Sequence, residues 1–113
     1  MSRRTDRIED QLLQELADLV LHHLHDPRCQ GCTVASVHVS PDLRQARIRV
    51  SVLGAEDRRA AAVTALTHAR GHLRSELARR LRHLRRTPEL HFELDRGAEY
   101  SQRISDLLEE SNP

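Results

Sequence analysis

The chain opens with a helical pattern of apolar positions. Over residues 5–25, apolar side chains recur every three or four residues, which predicts an amphipathic helix that ends before Asp26-Pro27. Its apolar stripe consists of Ile8, Leu12, Leu16, Leu19 and His23. We therefore expect His23 to be packed rather than to act as a ligand.

Two strands joined by a short turn are predicted next. In residues 33–40 the side chains expected on one face are Ala35, Val37 and Val39. In residues 45–53 they are Ala46, Ile48, Val50 and Val52. Pro41-Asp42 supplies turn chemistry, so the two strands form a hairpin with one apolar face. Arg47 and Arg49 then lie on its solvent side.

The second half of the chain predicts helices, a strand and a last helix. An Ala-rich helix over residues 56–70 is interrupted at Ala69-Arg70-Gly71, and a second helix follows over residues 72–86. The buried stripe of the second helix is Leu73, Leu77, Leu81 and Leu84. Residues 89–95 alternate as a strand around Leu90, Phe92 and Leu94, and residues 98–110 form an acidic terminal helix.

This element order, α-β-β-α-α-β-α, predicts one α+β domain over residues 1–113. Helices would pack on one face of a three-stranded sheet, and the core would span about 5–95.

Charge is distributed unevenly along the chain. All 18 basic residues are arginine, and the net charge is only +1. Residues 1–86 carry 16 arginines and 10 acids, a net +6, whereas residues 87–113 carry a net −5. Residues 70–86 contain seven arginines and a single acid, Glu76. With the leucine stripe directed inward, the opposite ridge of this helix carries Arg79, Arg82 and Arg86, and Arg74 and Arg80 flank it. The pattern favours binding of nucleic-acid phosphates over an ordinary solvated helix face.

The low aromatic content limits the ways in which the protein could recognise a nucleic acid. Phe92 and Tyr100 are the only aromatic residues, so base stacking has almost no platform and recognition would rest on phosphates and shape. No apolar run is long enough to span a membrane, and two cysteines cannot form a disulfide framework. We expect a soluble cytoplasmic protein.

Two other classes of function remain open at this stage. Cys29-Gln30-Gly31-Cys32, with His22, His23 and His25 upstream, allows a small metal-binding or redox module, although a redox thiol is expected at a helix N-terminus. The acidic terminal helix allows a protein–protein adaptor. Catalytic motifs are missing, so we expect no enzyme, no resident metal or other cofactor, and no small-molecule substrate.

Several fragments together resemble the ribosome-binding factor A family, in order and spacing, from about residue 3 to 108. They are Arg3-Arg4-Thr5-Asp6-Arg7-Ile8, Asp26-Pro27-Arg28, Val37-His38-Val39-Ser40-Pro41-Asp42-Leu43, Ala46-Arg47-Ile48-Arg49-Val50-Ser51-Val52-Leu53, Ala69-Arg70-Gly71-His72-Leu73-Arg74, Leu84-Arg85-Arg86-Thr87-Pro88-Glu89-Leu90-His91-Phe92 and Asp95-Arg96-Gly97-Ala98-Glu99-Tyr100. Cys29 and Cys32 match no family requirement.

The resemblance implies a KH-type RNA-binding fold of the bacterial topology. It also implies a monomeric assembly factor that binds the small ribosomal subunit and its rRNA during late maturation, without a cofactor. Ala69-Arg70-Gly71 matches the family's helix kink, where glycine would tolerate a sharp bend and close approach of RNA. The predicted RNA-binding residues are Arg47, Arg49, Arg70, Gly71, Arg74, Arg79, Arg80, Arg82 and Arg86.

Overall fold

The computed structural model describes residues 3–97, which form three helices and three strands. In chain order the elements are α1 (Arg3–His22), a 3₁₀ turn (Pro27–Cys29), β1 (Cys32–Val39), β2 (Gln45–Val52), α2 (Glu56–His68), α3 (Arg70–Arg80) and β3 (Glu89–Leu94). The predicted terminal helix over 98–110 lies outside the described residues.

The sheet has the strand order β1-β2-β3 and is mixed. β1 and β2 form the predicted antiparallel hairpin, and β3 runs parallel to β2. A parallel neighbour requires a crossover, and α2 and α3 provide it on the same face as α1. The α+β architecture with helices on one face is therefore confirmed.

The core lies between the helices and the apolar face of the sheet. Its most buried large side chains are Leu12, Leu16, Leu19, Ile48, Val50, Leu66, Leu73 and Leu77. Along β2 every second residue is buried, as the alternation predicts, so Arg47 and Arg49 project from the face that the helices leave uncovered.

A β-bulge changes the predicted face of β1. The register between β1 and β2 shifts between Val34 and Ser36, and the burial alternation shifts with it. Val34 is consequently buried and Ala35 exposed, whereas Val37 and Val39 are buried as expected. The extra residue of a bulge breaks the two-residue period on which the prediction for Ala35 depended.

The first helix is shorter than predicted at its C-terminal end. It ends at His22, and Asp26 then caps the 3₁₀ turn by accepting a hydrogen bond from the backbone N–H of Arg28 at 2.9 Å. His23 lies just beyond the helix and is exposed, with Nε2 3.4 Å from the Asp18 carboxylate. The expectation that His23 packs in the core is wrong, because the helix ends before it.

The helix predicted over residues 72–86 starts at Arg70 and ends at Arg80. Leu81 leaves the helical conformation with φ −116° and ψ 55°. Six further helical residues would carry the chain about 9 Å along the axis, whereas β3 must begin at Glu89 beside Gln45. Leu81 is nevertheless buried and Leu84 partly buried, so the apolar stripe was predicted correctly and its helical continuation was not.

No helix within residues 3–97 is both long enough and apolar enough to cross a membrane.

Candidate nucleic-acid interface

Three of the predicted RNA-binding residues lie at the junction between α2 and α3. Ala69 breaks the helical run with φ −86° and ψ −2°, and its N–H still reaches the carbonyls of α2. Arg70, Gly71 and Arg74 follow in the first turns of α3 and line a cavity of about 180 Å³ together with Glu89 and Leu90. Arg70 is exposed and has no ion pair with any described residue.

Gly71 sits inside helix α3 rather than at a bend that requires glycine. Its backbone is helical, and a Cβ placed there would meet nothing within 4 Å. The bend is made at Ala69 instead, so the conformational reason predicted for glycine is wrong. What Gly71 leaves is bare, accessible backbone beside Arg70.

Arg74 ties α3 to the segment that precedes β3. Its Nε and one terminal nitrogen donate to the Thr87 carbonyl at 3.1 and 2.8 Å. A carbonyl does not neutralise a guanidinium, so Arg74 keeps its net charge while its position becomes fixed. The contact also places Arg86, the neighbour of Thr87, beside the N-terminal half of α3.

Unlike Arg74, which binds a carbonyl, Arg79 and Arg80 each form ion pairs with carboxylates. Arg80 donates to Glu15 at 3.0 Å and to Asp18 at 2.7 Å, which joins α3 to α1. Asp18 also forms a hydrogen bond with His22 at 2.9 Å. The hydrogen bond from Arg80, followed by that with His22, lowers the pKa of Asp18 to about 2. Arg79 pairs with Glu76 at 2.9 Å. Glu76, the single acid of this run, therefore neutralises Arg79, and two acids of α1 neutralise Arg80.

Arg82 and Arg86 do not lie on a helical ridge, because α3 has ended before them. Together with Arg85 they occupy the segment between α3 and β3, and all three are exposed. None of the three forms an ion pair or hydrogen bond with a residue that the structure describes. We call Arg70, Gly71, Arg74, Arg82 and Arg86 the α3 surface.

Arg47 and Arg49 lie on a different face. They share one acid, since the Glu93 carboxylate is 3.7 Å from Arg47 and 3.0 Å from Arg49. His91 of the neighbouring strand is hydrogen-bonded to Gln45. We call Arg47, Arg49, His91 and Glu93 the open sheet face. The structure thus divides the nine predicted residues between two surfaces, the ion pair of Arg80 with α1 and the ion pair of Arg79 within α3.

Sequence reasoning missed a third cationic surface. Arg4 and Arg7 of α1 and His83 and Arg85 of the segment after α3 line one groove. Arg85 belongs to the arginine run but not to its predicted ridge, and the acids Asp6, Glu9 and Asp10 partly offset the charge of Arg4 and Arg7 in the sequence. The signal that the sequence does offer is the spacing of Arg4, Arg7 and Gln11, which places all three on one helix face.

The two thiols do not have the character of reactive or metal-binding cysteines. Both are buried and free, and burial raises the pKa of Cys29 and raises that of Cys32 to about 11. A redox-reactive thiol requires a stabilised thiolate instead. No group of three or more potential metal-ligating side chains occurs within residues 3–97. The metal or redox alternative therefore loses its structural support there.

The fold and its exposed arginines define a small α+β domain with a KH-like order of elements. The sequence model of ribosome-binding factor A matches residues 4–108, and the chain belongs to that family.

Solved structures of ribosome-binding factor A agree with this assignment. The crystal structure of the Thermus thermophilus protein is 34% identical, with a TM-score of 0.70 over 80% of this chain and 94% of that one. A solution NMR structure of a Thermotoga maritima protein assigned to ribosome binding factor A is 33% identical, with a TM-score of 0.74 over 86% of this chain and 92% of that one.

A third structure concerns a complex. A homology model of the Thermus thermophilus factor, fitted into a cryo-EM map of a 30S–RbfA complex, is 36% identical, with a TM-score of 0.67 over 79% of this chain and 92% of that one.

Proposed function

We propose that this protein is a ribosome assembly factor that binds the small (30S) ribosomal subunit and promotes late maturation of its 16S rRNA. It acts as a cytoplasmic monomer through binding alone, without a catalytic step, a cofactor or a small-molecule substrate. Family membership supports the partner, since the fitted Thermus thermophilus relative is described in a complex with the 30S subunit.

The proposed mode of binding rests on one observation, the unneutralised charge of the arginines on the α3 surface. Arg70, Arg82 and Arg86 are exposed and have no carboxylate partner among the described residues. Guanidinium groups that remain unneutralised are suited to phosphate oxygens, which they bind in bidentate geometry. Arg74 adds a positioned cation, and Gly71 allows an RNA backbone to approach the helix closely.

The distribution of aromatic side chains supports recognition by phosphate and shape. Phe92 is 9% exposed and belongs to the core, so little of its ring is accessible for stacking. No other aromatic residue occurs in residues 3–97. Folded rRNA presents its phosphates in fixed positions, and arginines spaced along one surface can select such positions without reading bases.

Co-sedimentation with purified ribosomal particles tests the proposal. We expect the protein to pellet with free 30S subunits and to be depleted from complete 70S ribosomes, as a factor that acts before subunit joining requires. Equal binding to both particles, or binding to neither, would contradict it. Arg58→Glu is a suitable control for charge-reversal variants, because Arg58 lies in the first turn of α2, away from the segment after α3, and forms no ion pair with a described residue.

A further inference from the structure

A groove at the N-terminal end of α1 combines charge with an apolar floor. It has a volume of about 540 Å³ and is formed by three segments that are distant in sequence. They are the first turns of α1 with Arg4, Arg7, Ile8 and Gln11, the hairpin turn with Leu43, and the segment after α3 with His83, Leu84 and Arg85.

Contacts between the three segments hold the groove in shape. His83 Nε2 lies 3.0 Å from Oε1 of Gln11, which links the segment after α3 to α1. Leu43 has a left-handed backbone with φ 62°, a conformation that is unfavourable for leucine, and its N–H donates to the Ser40 carbonyl at 2.9 Å. The packing of its side chain against the core offsets this strain.

The charge of the groove has one sign. Arg4, Arg7 and Arg85 contribute cations, and no aspartate or glutamate is among the lining residues. Arg7 and Arg85 are exposed and form no ion pair with a described residue. On the open sheet face, by contrast, Glu93 lies between the two arginines. The groove therefore attracts an anion more strongly than the sheet does.

The floor of the groove indicates what kind of anion fits. Ile8 is buried, and Leu43 and Leu84 are partly buried, so the base of the groove is aliphatic. A bare phosphate would leave this surface unused. A nucleotide combines a phosphate with a flat base, which aliphatic side chains and guanidinium planes can cover. The volume lies within the range of about 300–1,000 Å³ that is usual for small-ligand pockets.

We propose that this groove binds one unpaired nucleotide of RNA, with its phosphate on Arg7 and Arg85 and its base against Leu84 and Leu43. The inference rests on the proposed function and adds a second element to it. The α3 surface would hold folded rRNA by its phosphates, whereas the groove would require a nucleotide that has left its helix. The protein would then distinguish rRNA with an unpaired nucleotide at this position from fully paired rRNA.

Titration of the full chain with a short single-stranded RNA tests this proposal. The probes are a tetranucleotide, inorganic phosphate and a blunt RNA duplex, with backbone amide shifts and fluorescence anisotropy as readouts. We expect the tetranucleotide to shift the amides of Arg7, Gln11 and Leu84. Arg7→Glu and Arg85→Glu should each weaken its binding about tenfold or more, since each loses a charged hydrogen bond. Arg58→Glu should leave it unchanged, since Arg58 lies in the first turn of α2 and does not line the groove.

The apolar floor needs its own variant. Leu84→Ala should weaken binding of the tetranucleotide without changing the shifts that phosphate causes. Leu84→Met keeps the apolar area and controls for loss of folding, since it should bind like the unaltered protein. The proposal is overturned if phosphate or the duplex competes as well as the tetranucleotide, or if the shifts lie only on the α3 surface. Co-sedimentation of the unaltered protein with 30S subunits separates this failure from failure of the proposed function.

Discussion

The α3 surface and the open sheet face both present arginines to solvent, but they differ in the charge that remains available. On the sheet, Arg47 and Arg49 share the carboxylate of Glu93 at 3.7 and 3.0 Å. On the α3 surface, Arg70, Arg82 and Arg86 form no ion pair with a described carboxylate, although Glu89 lines the same cavity as Arg70, and Arg74 is held by a carbonyl. The two surfaces look alike in a count of arginines along the chain. The charge that remains available is the reason why we propose that the α3 surface makes the main phosphate contacts.

The largest expected effect comes from reversing charge on one surface and then on the other. Arg82→Glu with Arg86→Glu should weaken 30S binding about a hundredfold, because two charged contacts are lost at about tenfold each. Arg47→Glu with Arg49→Glu makes the same change in net charge and should weaken it much less. Dissociation constants at one salt concentration provide the measurement. Equal losses in the two double variants would show that only net charge matters.

Arg80 should behave as a structural residue although it belongs to the same arginine run. Arg80→Met removes the link between α3 and the carboxylates Glu15 and Asp18. We expect a lower midpoint of thermal unfolding and an unchanged salt dependence of 30S binding. A flattened salt dependence with unchanged stability would place Arg80 in the interface instead.

The Asp18 carboxylate makes this stabilisation depend on pH. Its pKa falls from 3.8 to about 2 in the folded protein, mainly because Arg80 donates to it. A depressed folded-state pKa stabilises the fold above the unfolded value and loses that contribution as pH falls through the folded value. The difference in unfolding midpoint between the unaltered protein and Arg80→Met should therefore be full at pH 6 and should shrink between about pH 4 and 2. A constant difference would contradict the assignment.

Gly71 allows stability and binding to be separated. Gly71→Ala should stabilise the protein by about 0.5 kcal/mol, since alanine favours a helix more than glycine does and the added Cβ meets nothing within 4 Å. The same methyl group should weaken 30S binding if RNA approaches the bare backbone. Chemical denaturation and co-sedimentation measure the two effects. Unaltered binding would remove Gly71 from the interface.

The smallest expected effect concerns the open sheet face, where Glu93 partly neutralises Arg47 and Arg49. Glu93→Gln releases Arg47 and Arg49 from their shared acid while keeping the shape of the side chain. Exposed ion pairs contribute little, so 30S binding should tighten by only about two- to fivefold. His91→Gln is a matched change on the same strand that alters no carboxylate, and it should have no such effect. A weaker 30S affinity for Glu93→Gln would contradict the idea that Glu93 reduces the charge available to RNA on the open sheet face.

Periodicity predicted the parts of the fold that depend on local burial. Alternation along β2 placed Arg47 and Arg49 correctly, and the leucine stripe identified Leu73, Leu77 and Leu81 as buried. It failed where tertiary structure overrides the local period. The bulge in β1 exposes Ala35, and the return of the chain to β3 ends α3 before Arg82.

Charge compensation was harder to predict than the elements themselves. Arg80 meets Glu15 and Asp18 across more than sixty residues of sequence, and no local pattern indicates such a pair. Glu93 reaches Arg49 only because β3 pairs with β2 in a parallel register. The groove escaped prediction for the same reason, since its three segments meet only in the folded chain.

The salt dependence of 30S binding tests most directly the claim that the α3 surface holds rRNA phosphates. The measurement is the slope of log affinity against log salt for the unaltered protein and for Arg82→Glu with Arg86→Glu. Each phosphate contact contributes about 0.7–0.9 to that slope. We expect affinity to decline steeply with salt for the unaltered protein and the slope to be shallower by about 1.5 or more for the double variant. Affinity that does not change with salt, or the same slope for both proteins, would contradict it.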